Sequence, residues 1–234
     1  IRRAVAMAGG KLVNIPPDID KLKEALKNKA SLVFVTPLTH GKRHLPLKLM
    51  ERAIEVCKEK KVPVFLDDAY GLARAIVYDE PRSLELGADL AVFSTDKLSV
   101  GPRCGVLVGC GDLIEKIRAK VIELGMEAQI PLYVAAYKAL ARFDPQPIRH
   151  AAKLGWALYE KLSRFYGNKI YHAGTGFVMS EEDVLEVALG LARFRKPAIV
   201  PAEAAATHAM IMLANHGVLT TPTVTNPGAI LHLR

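Results

Sequence analysis

The 234-residue sequence contains only three cysteines, Cys57, Cys104 and Cys110. That is too few for a disulfide framework, and no CxxC pair supplies the spacing of a zinc site. A reducing compartment, the cytoplasm, is the expected location, and no metal is expected. No apolar run approaches the roughly 18 residues needed to span a bilayer. No secretory-signal pattern opens the sequence either, so no membrane partner is expected. Side-chain amides are scarce. They comprise Asn14, Asn28, Asn168, Asn215 and Asn226, with Gln129 and Gln146. No strand-like run alternates polar with apolar residues, and no repeat or low-complexity tract stands out.

Half of the residues are hydrophobic and 24% are charged, enough for a large core plus a small second domain. The net charge is +8. Read plainly, it is a thermophile-like lysine-rich surface, a reading that the scarcity of amides also favours. The sharper reading is an anionic partner, either a phosphorylated cofactor or RNA. The basic residues are spread out with no arginine-rich tract, so a nucleic-acid partner, tRNA included, is an open expectation without a motif.

Along the first two-fifths, strand and helix signals alternate. Asp18 or Asp20 caps a short helix reaching Lys29. Pro46 opens an amphipathic helix to about Lys60, with Leu49, Met50, Ala53, Ile54 and Cys57 as its stripe. Ser31–Thr36 lies between them, and Val62–Asp67, Asp89–Ser94 and Gly105–Gly109 follow, all apolar almost throughout. Such runs belong to strands buried on both faces of a parallel sheet. With crossover helices between them, they predict an α/β fold, a three-layer doubly wound mostly parallel sheet. Residues 111–124, 131–143 and 147–166 have helical spacing. A small C-terminal α+β domain follows, with strands near 169–171, 218–220 and 229–233 and helices near 180–194 and 201–215. The expected division is a large domain over 1–145, and a linking helix with the small domain over 146–234. The opening runs from Ile1-Arg-Arg-Ala into a strand-like stretch without an initiator Met, and an N-terminal part of the large domain is expected to be missing.

In open parallel sheets, ligands bind at the carboxyl ends of the strands. The first run ends at Thr36, leading to Thr39 and His40. The second ends in Asp67-Asp68-Ala69-Tyr70-Gly71, and the third in Ser94-Thr95-Asp96-Lys97. One edge would therefore gather a carboxylate, an amine, hydroxyls and a histidine. A lysine beside a carboxylate suits imine chemistry, because burial lowers the amine pKa and frees its lone pair. Each residue also has a plain structural alternative, such as a helix cap for Asp67 or a solvated side chain for Lys97.

Asp67-Asp-Ala-Tyr-Gly71, followed by Ser94-Thr-Asp-Lys97 and Gly101-Pro-Arg-Cys-Gly105, resembles the fold-type I pyridoxal-phosphate enzymes. Within them it is most similar to the selenocysteine synthase (L-seryl-tRNA selenium transferase) group and its archaeal homologues, best over about residues 10–125. The resemblance implies pyridoxal 5′-phosphate (PLP) as cofactor. It implies a Schiff base at Lys97 and pairing of Asp67 with the pyridine nitrogen. Tyr70 would stand near the cofactor's 3-hydroxyl, Ser94 near its phosphate, and His40 beside cofactor or substrate. Asp68 is as readily a structural acceptor. Arg103, and more weakly Arg74, would bind an anionic group, and Arg234 a substrate carboxylate. His44 is a weaker candidate than His40. The family's phosphate-binding turn has no counterpart at the start of this sequence. The implied activity is that of a PLP-dependent transferase or lyase on a small amino-acid-like substrate, with β-elimination or replacement at a seryl group as the leading form. Cysteine desulfuration, aminotransfer, C–C lysis and a non-catalytic binding protein on the same scaffold remain alternatives, as does an RNA-binding α/β protein. The resemblance also implies a homodimer or a ring of dimers.

Overall fold

The structure, a computed structural model, describes residues 1–38, 44–97, 101–193, 199–220 and 230–232. The chain divides into two compact units. One comprises Ile1–Pro37, Leu45–Gly71 and Pro81–Leu140, and the other Leu38–His44, Leu72–Glu80 and Ala141–Arg234.

The first unit opens with α1 (Arg2–Met7) and α2 (Ile19–Ala25). The strand-like reading of the opening is thus corrected to a helix. Asp18 caps α2, its Oδ1 accepting from the backbone N–H groups of Asp20 (2.8 Å) and Lys21 (3.1 Å). This helix stops at Ala25, short of the expected Lys29. A four-stranded sheet follows in the order β1 (Val33–Val35), β2 (Val64–Asp67), β3 (Leu90–Ser94), β4 (Gly105–Gly109). The first three strands are parallel, and β4 returns antiparallel to β3. Helix α3 (Leu47–Glu59) makes the crossover between β1 and β2, beginning just after Pro46 as expected. Its stripe of Met50, Ala53, Ile54 and Cys57 is buried. The core joins Leu22 and Leu26 to Ile54, Val56 and Cys57 of α3 and to Val64 and Leu66 of β2. Each buried aliphatic side chain stabilises the fold by roughly 1.5–3 kcal/mol. Asp89 locks the start of β2, since its carboxylate accepts from Val64 N–H at 2.8 Å while its own N–H donates to the Val64 carbonyl.

Helix α4 (Gly71–Val77) occupies a stretch that reads as a linker in the sequence. Helices α5 (Gly111–Glu123) and α6 (Ile130–Ala141) follow β4, and neither contains a buried residue.

In the second unit, α7 (Gln146–Tyr166) leads to β5 (Ile170–His172) and β6 (Phe177–Ser180). Helices α8 (Glu181–Ala192) and α9 (Pro201–His216) and strand β7 (Ile230–His232) complete it. The three strands form an antiparallel sheet in chain order. Strand β6 has no separate signal in the sequence because it runs directly into α8. Ser180 ends the strand and caps the helix, accepting from Asp183 N–H at 3.1 Å. The strand expected near 218–220 is not formed, and only Thr220 makes a bridge. The core joins Ile170, Phe177 and Met179 to Val184, Ala204 and Ala209. Gly155 of α7 is buried because a β-carbon there would stand 2.3 Å from the Thr175 carbonyl carbon. Also in this unit, Glu80 Oε2 accepts from Arg74 Nη1 at 2.6 Å and meets His44 Nε2 at 3.0 Å, and the His44 ring stacks on Tyr78. Among the described residues, no helix is long and apolar enough to cross a membrane.

Candidate active site

The carboxyl ends of β2 and β3 bring sequence-distant residues together. Asp67 is the last residue of β2 and pairs in register with Val92 of β3. The turn after β2 is tied to the end of β3 by a hydrogen bond from Ser94 N–H to the Ala69 carbonyl, 3.2 Å. Beyond Ser94 the chain enters the loop that carries Lys97 and returns as β4. Lys97 Nζ lies over the Tyr70 ring, 4.7 Å from its centroid. A cation over an aromatic face is attracted by about 0.5–1 kcal/mol where solvent reaches it. Asp67, Tyr70, Ser94 and Lys97 are all half-buried. Among the described residues, none donates a hydrogen bond to the Asp67 carboxylate.

The two adjacent aspartates separate by strand alternation. Asp68 continues the parity of Val64 and Leu66 and is 2% exposed, where its Oδ2 accepts from the Ser83 hydroxyl at 2.8 Å. The structural role expected as an alternative is therefore the observed one. Asp67 has the opposite parity and keeps its carboxylate for something outside this network. Arg74 is also structural, buried and paired with Glu80, and so is not the free anion-binding arginine that the sequence allows. His44 engages Glu80 and Tyr78.

Arg103 is exposed, on the segment that returns to β4. His40 and Arg234 lie outside the described residues. The loop has an internal fastening with no sequence signal beyond a hydroxyl next to the motif. Thr95 is fully buried, and its Oγ1 donates to the Pro102 carbonyl at 2.5 Å. Cys104 Sγ stands 3.1 Å from the same oxygen.

The donor set suits a phosphorylated pyridine aldehyde. Lys97 is an amine with no carboxylate partner among the described residues, Asp67 is a carboxylate that accepts no hydrogen bond among them, Tyr70 is a ring beneath the Lys97 amine, and Ser94 adds a hydroxyl at the same edge.

Known proteins point the same way. Residues 48–149 match the L-seryl-tRNA selenium transferase family. A UPF0425 pyridoxal phosphate-dependent protein of Methanothermobacter thermautotrophicus is 37% identical over 205 residues, covering 87% of this chain and 52% of that protein. An L-seryl-tRNA(Sec) selenium transferase of Mannheimia succiniciproducens is 27% identical, over 74% of this chain and 42% of its own length. The chain thus spans about half the length of the curated relatives it matches. Among solved structures, the ornithine aminotransferase of Toxoplasma gondii superposes with a TM-score of 0.61 at 20% identity, covering 96% of this chain and 50% of that one. The chain is accordingly a homologue of the archaeal UPF0425 pyridoxal phosphate-dependent proteins, similar over residues 48–149 to the L-seryl-tRNA selenium transferase family, with the fold of the aminotransferases it superposes on.

Proposed function

We propose that this chain binds PLP at the β2–β3 edge and serves a transferase or lyase reaction on an amino-acid-like substrate. The observation that carries this reading is the stacking of Lys97 on Tyr70 at the strand edge where Asp67 holds an unengaged carboxylate. When bound, PLP supplies an electron sink for negative charge developing on the substrate carbon. Lys97 would be the attachment amine and the base that holds a proton next to that carbon. Its stem leaves one strand end and its head rests on a ring held by the next, so the amine is already positioned. Asp67 would accept from the pyridine N–H and keep it protonated, a charge-assisted bond. Tyr70 would lie beside the cofactor's ring and Ser94 would offer its hydroxyl to the phosphate. Arg103 is exposed and free to meet an anionic part of the substrate, with His40 and Arg234 proposed as further contacts.

The finer reading is replacement of a seryl hydroxyl by another nucleophile. The matched family and the Mannheimia relative support it, whereas aminotransfer is supported by the fold alone. Incubation of the full-length protein with PLP, then borohydride reduction and peptide mapping, should find the label on Lys97 and none after Lys97→Ala. Label on another lysine rejects the assignment.

A homodimer belongs to the same proposal. Helix α6 exposes Ile130 (77%), Tyr133 (62%) and Tyr137 (74%) along its length, an apolar face that water disfavours. Light scattering on the full-length protein should give at least twice the chain mass, and a monomer retaining PLP would refute it.

A further inference from the structure

We propose that Thr95 is the positioning residue for Lys97, its buried hydroxyl fastening the β3–β4 loop so that the lysine stands over Tyr70. This rests on the proposed role of Lys97.

A lysine reaches its target through a flexible four-carbon stem, so the place of its amine depends on how firmly the backbone beneath it is held. Ser94 and Gly105 form the last rung of the β3–β4 ladder, and the described residues of the loop between them make no further strand pairing. Thr95 supplies the missing restraint with every polar group it has. Its N–H donates to the Cys104 carbonyl at 3.0 Å, and its carbonyl accepts from Gly101 N–H at 3.1 Å. Its hydroxyl donates to the Pro102 carbonyl and lies within hydrogen-bonding distance of the Cys104 thiol. The side chain is 0% exposed, so water does not substitute for these bonds, and an unmet donor or acceptor there is costly. Gly101 completes the fit. A β-carbon at that position would stand 2.5 Å from the Thr95 carbonyl oxygen and 2.6 Å from its Cβ, so only glycine lets the two segments close this far. Lys97 follows two residues later and its head meets Tyr70, whose turn is tied to Ser94. The lysine is therefore held between two fixed points, the Thr95 fastening behind it and the Tyr70 ring ahead.

The test compares Thr95→Val, Thr95→Ser and Gly101→Ala in the full-length protein, with Lys97→Ala as reference. It measures PLP retention by equilibrium dialysis, borohydride trapping on Lys97, and thermal unfolding of the cofactor-free protein. Thr95→Val keeps the shape and removes the hydroxyl. It should weaken PLP retention about tenfold, on the order of 1.4 kcal/mol, and lower trapping on Lys97 alongside. Thr95→Ser should restore both to near wild type, which a need for bulk alone would not produce. Gly101→Ala should reproduce the Thr95→Val defect, and it decides the matter if Thr95→Val does not fold. Wild-type retention and trapping in a folded Thr95→Val or Gly101→Ala protein would overturn the proposal while Lys97→Ala still lost its label. So would a Thr95→Ser protein as defective as Thr95→Val. Loss of folding in both variants would overturn it too, by making the fastening a determinant of the fold rather than of the lysine. Label on a lysine other than Lys97 would instead overturn the proposed function itself.

Discussion

The two sheets use their polar residues in opposite ways. In the first unit the strands β1, β2 and β3 run parallel, so each delivers its last residue to the same edge. There Asp67 joins Ser94 and, just beyond, Lys97, although the two segments are far apart in the chain. In the second unit the strands are antiparallel, so successive ends fall on opposite edges, and no such collection arises among the described residues. Several of its polar groups pair with near neighbours. Arg74 and His44 share Glu80, Lys169 pairs with Asp183 and Glu186, and Ser180 caps α8. His172 shows the contrast most sharply. Its ring packs against Trp156 and Tyr159, and its buried Nε2 has no partner among the described residues. It is a packing histidine, whereas the unengaged carboxylate of Asp67 stands at a strand end in half-open surroundings. A polar residue therefore points to a site when topology delivers it to an edge with others, and unsatisfied hydrogen-bonding capacity alone does not make one.

The largest effect that would sharpen this contrast is expected at Gly155. Gly155→Ala drives a methyl into the Thr175–Gly176 backbone. It should destabilise the protein by about 3 kcal/mol, at the upper end of overpacking costs, lowering the melting temperature by roughly 10 °C. Scanning calorimetry checks it, and an unchanged melt would mean that α7 is free to shift. At the other unit's edge the cost should appear in chemistry instead. Asp67→Asn should leave the melting temperature near wild type while turnover falls at least about tenfold, since a charged hydrogen bond of about 1.5–3 kcal/mol is lost. Unchanged turnover would remove Asp67 from the pyridine-nitrogen role and the contrast with it. The smallest effect is expected from acid. Burial lowers the His172 pKa, partly offset by a backbone bond at Gly174, and burial lowers that of His208 as well. In the unfolded chain these rings protonate near the ordinary value of about 6.5, and in the folded chain only at lower pH. The unfolded state thus binds the extra protons first. Stability from these groups is full above about pH 6.5 and falls as pH drops toward the folded values. Melting temperatures across that range should decline less in His172→Phe than in wild type, and an identical decline would assign the acid sensitivity elsewhere.

Much of the first unit was legible in the sequence. Continuous apolar runs place β1 to β4, Pro46 places the start of α3, and the polar residues closing each run mark the edge that carries Asp67, Ser94 and Lys97. Those signals are local, carried by hydrophobicity over neighbouring residues and by residues that start helices. The first residues misled because a short mixed segment has no period long enough to separate helix from strand, and α1 formed. Helix α4 and strand β6 were missed for the same reason, one within a polar-flanked stretch and the other fused to the helix after it. The candidate residues at that edge were thus set by the sequence order itself. Tertiary structure alone decided which of the two adjacent aspartates keeps its carboxylate unengaged, that Arg74 is spent on Glu80, that Lys97 rests on Tyr70, and that Thr95 fastens its loop to Pro102 and Cys104. These are contacts between residues that neither periodicity nor capping couples, and they exist only once the backbone has brought distant segments within hydrogen-bonding range.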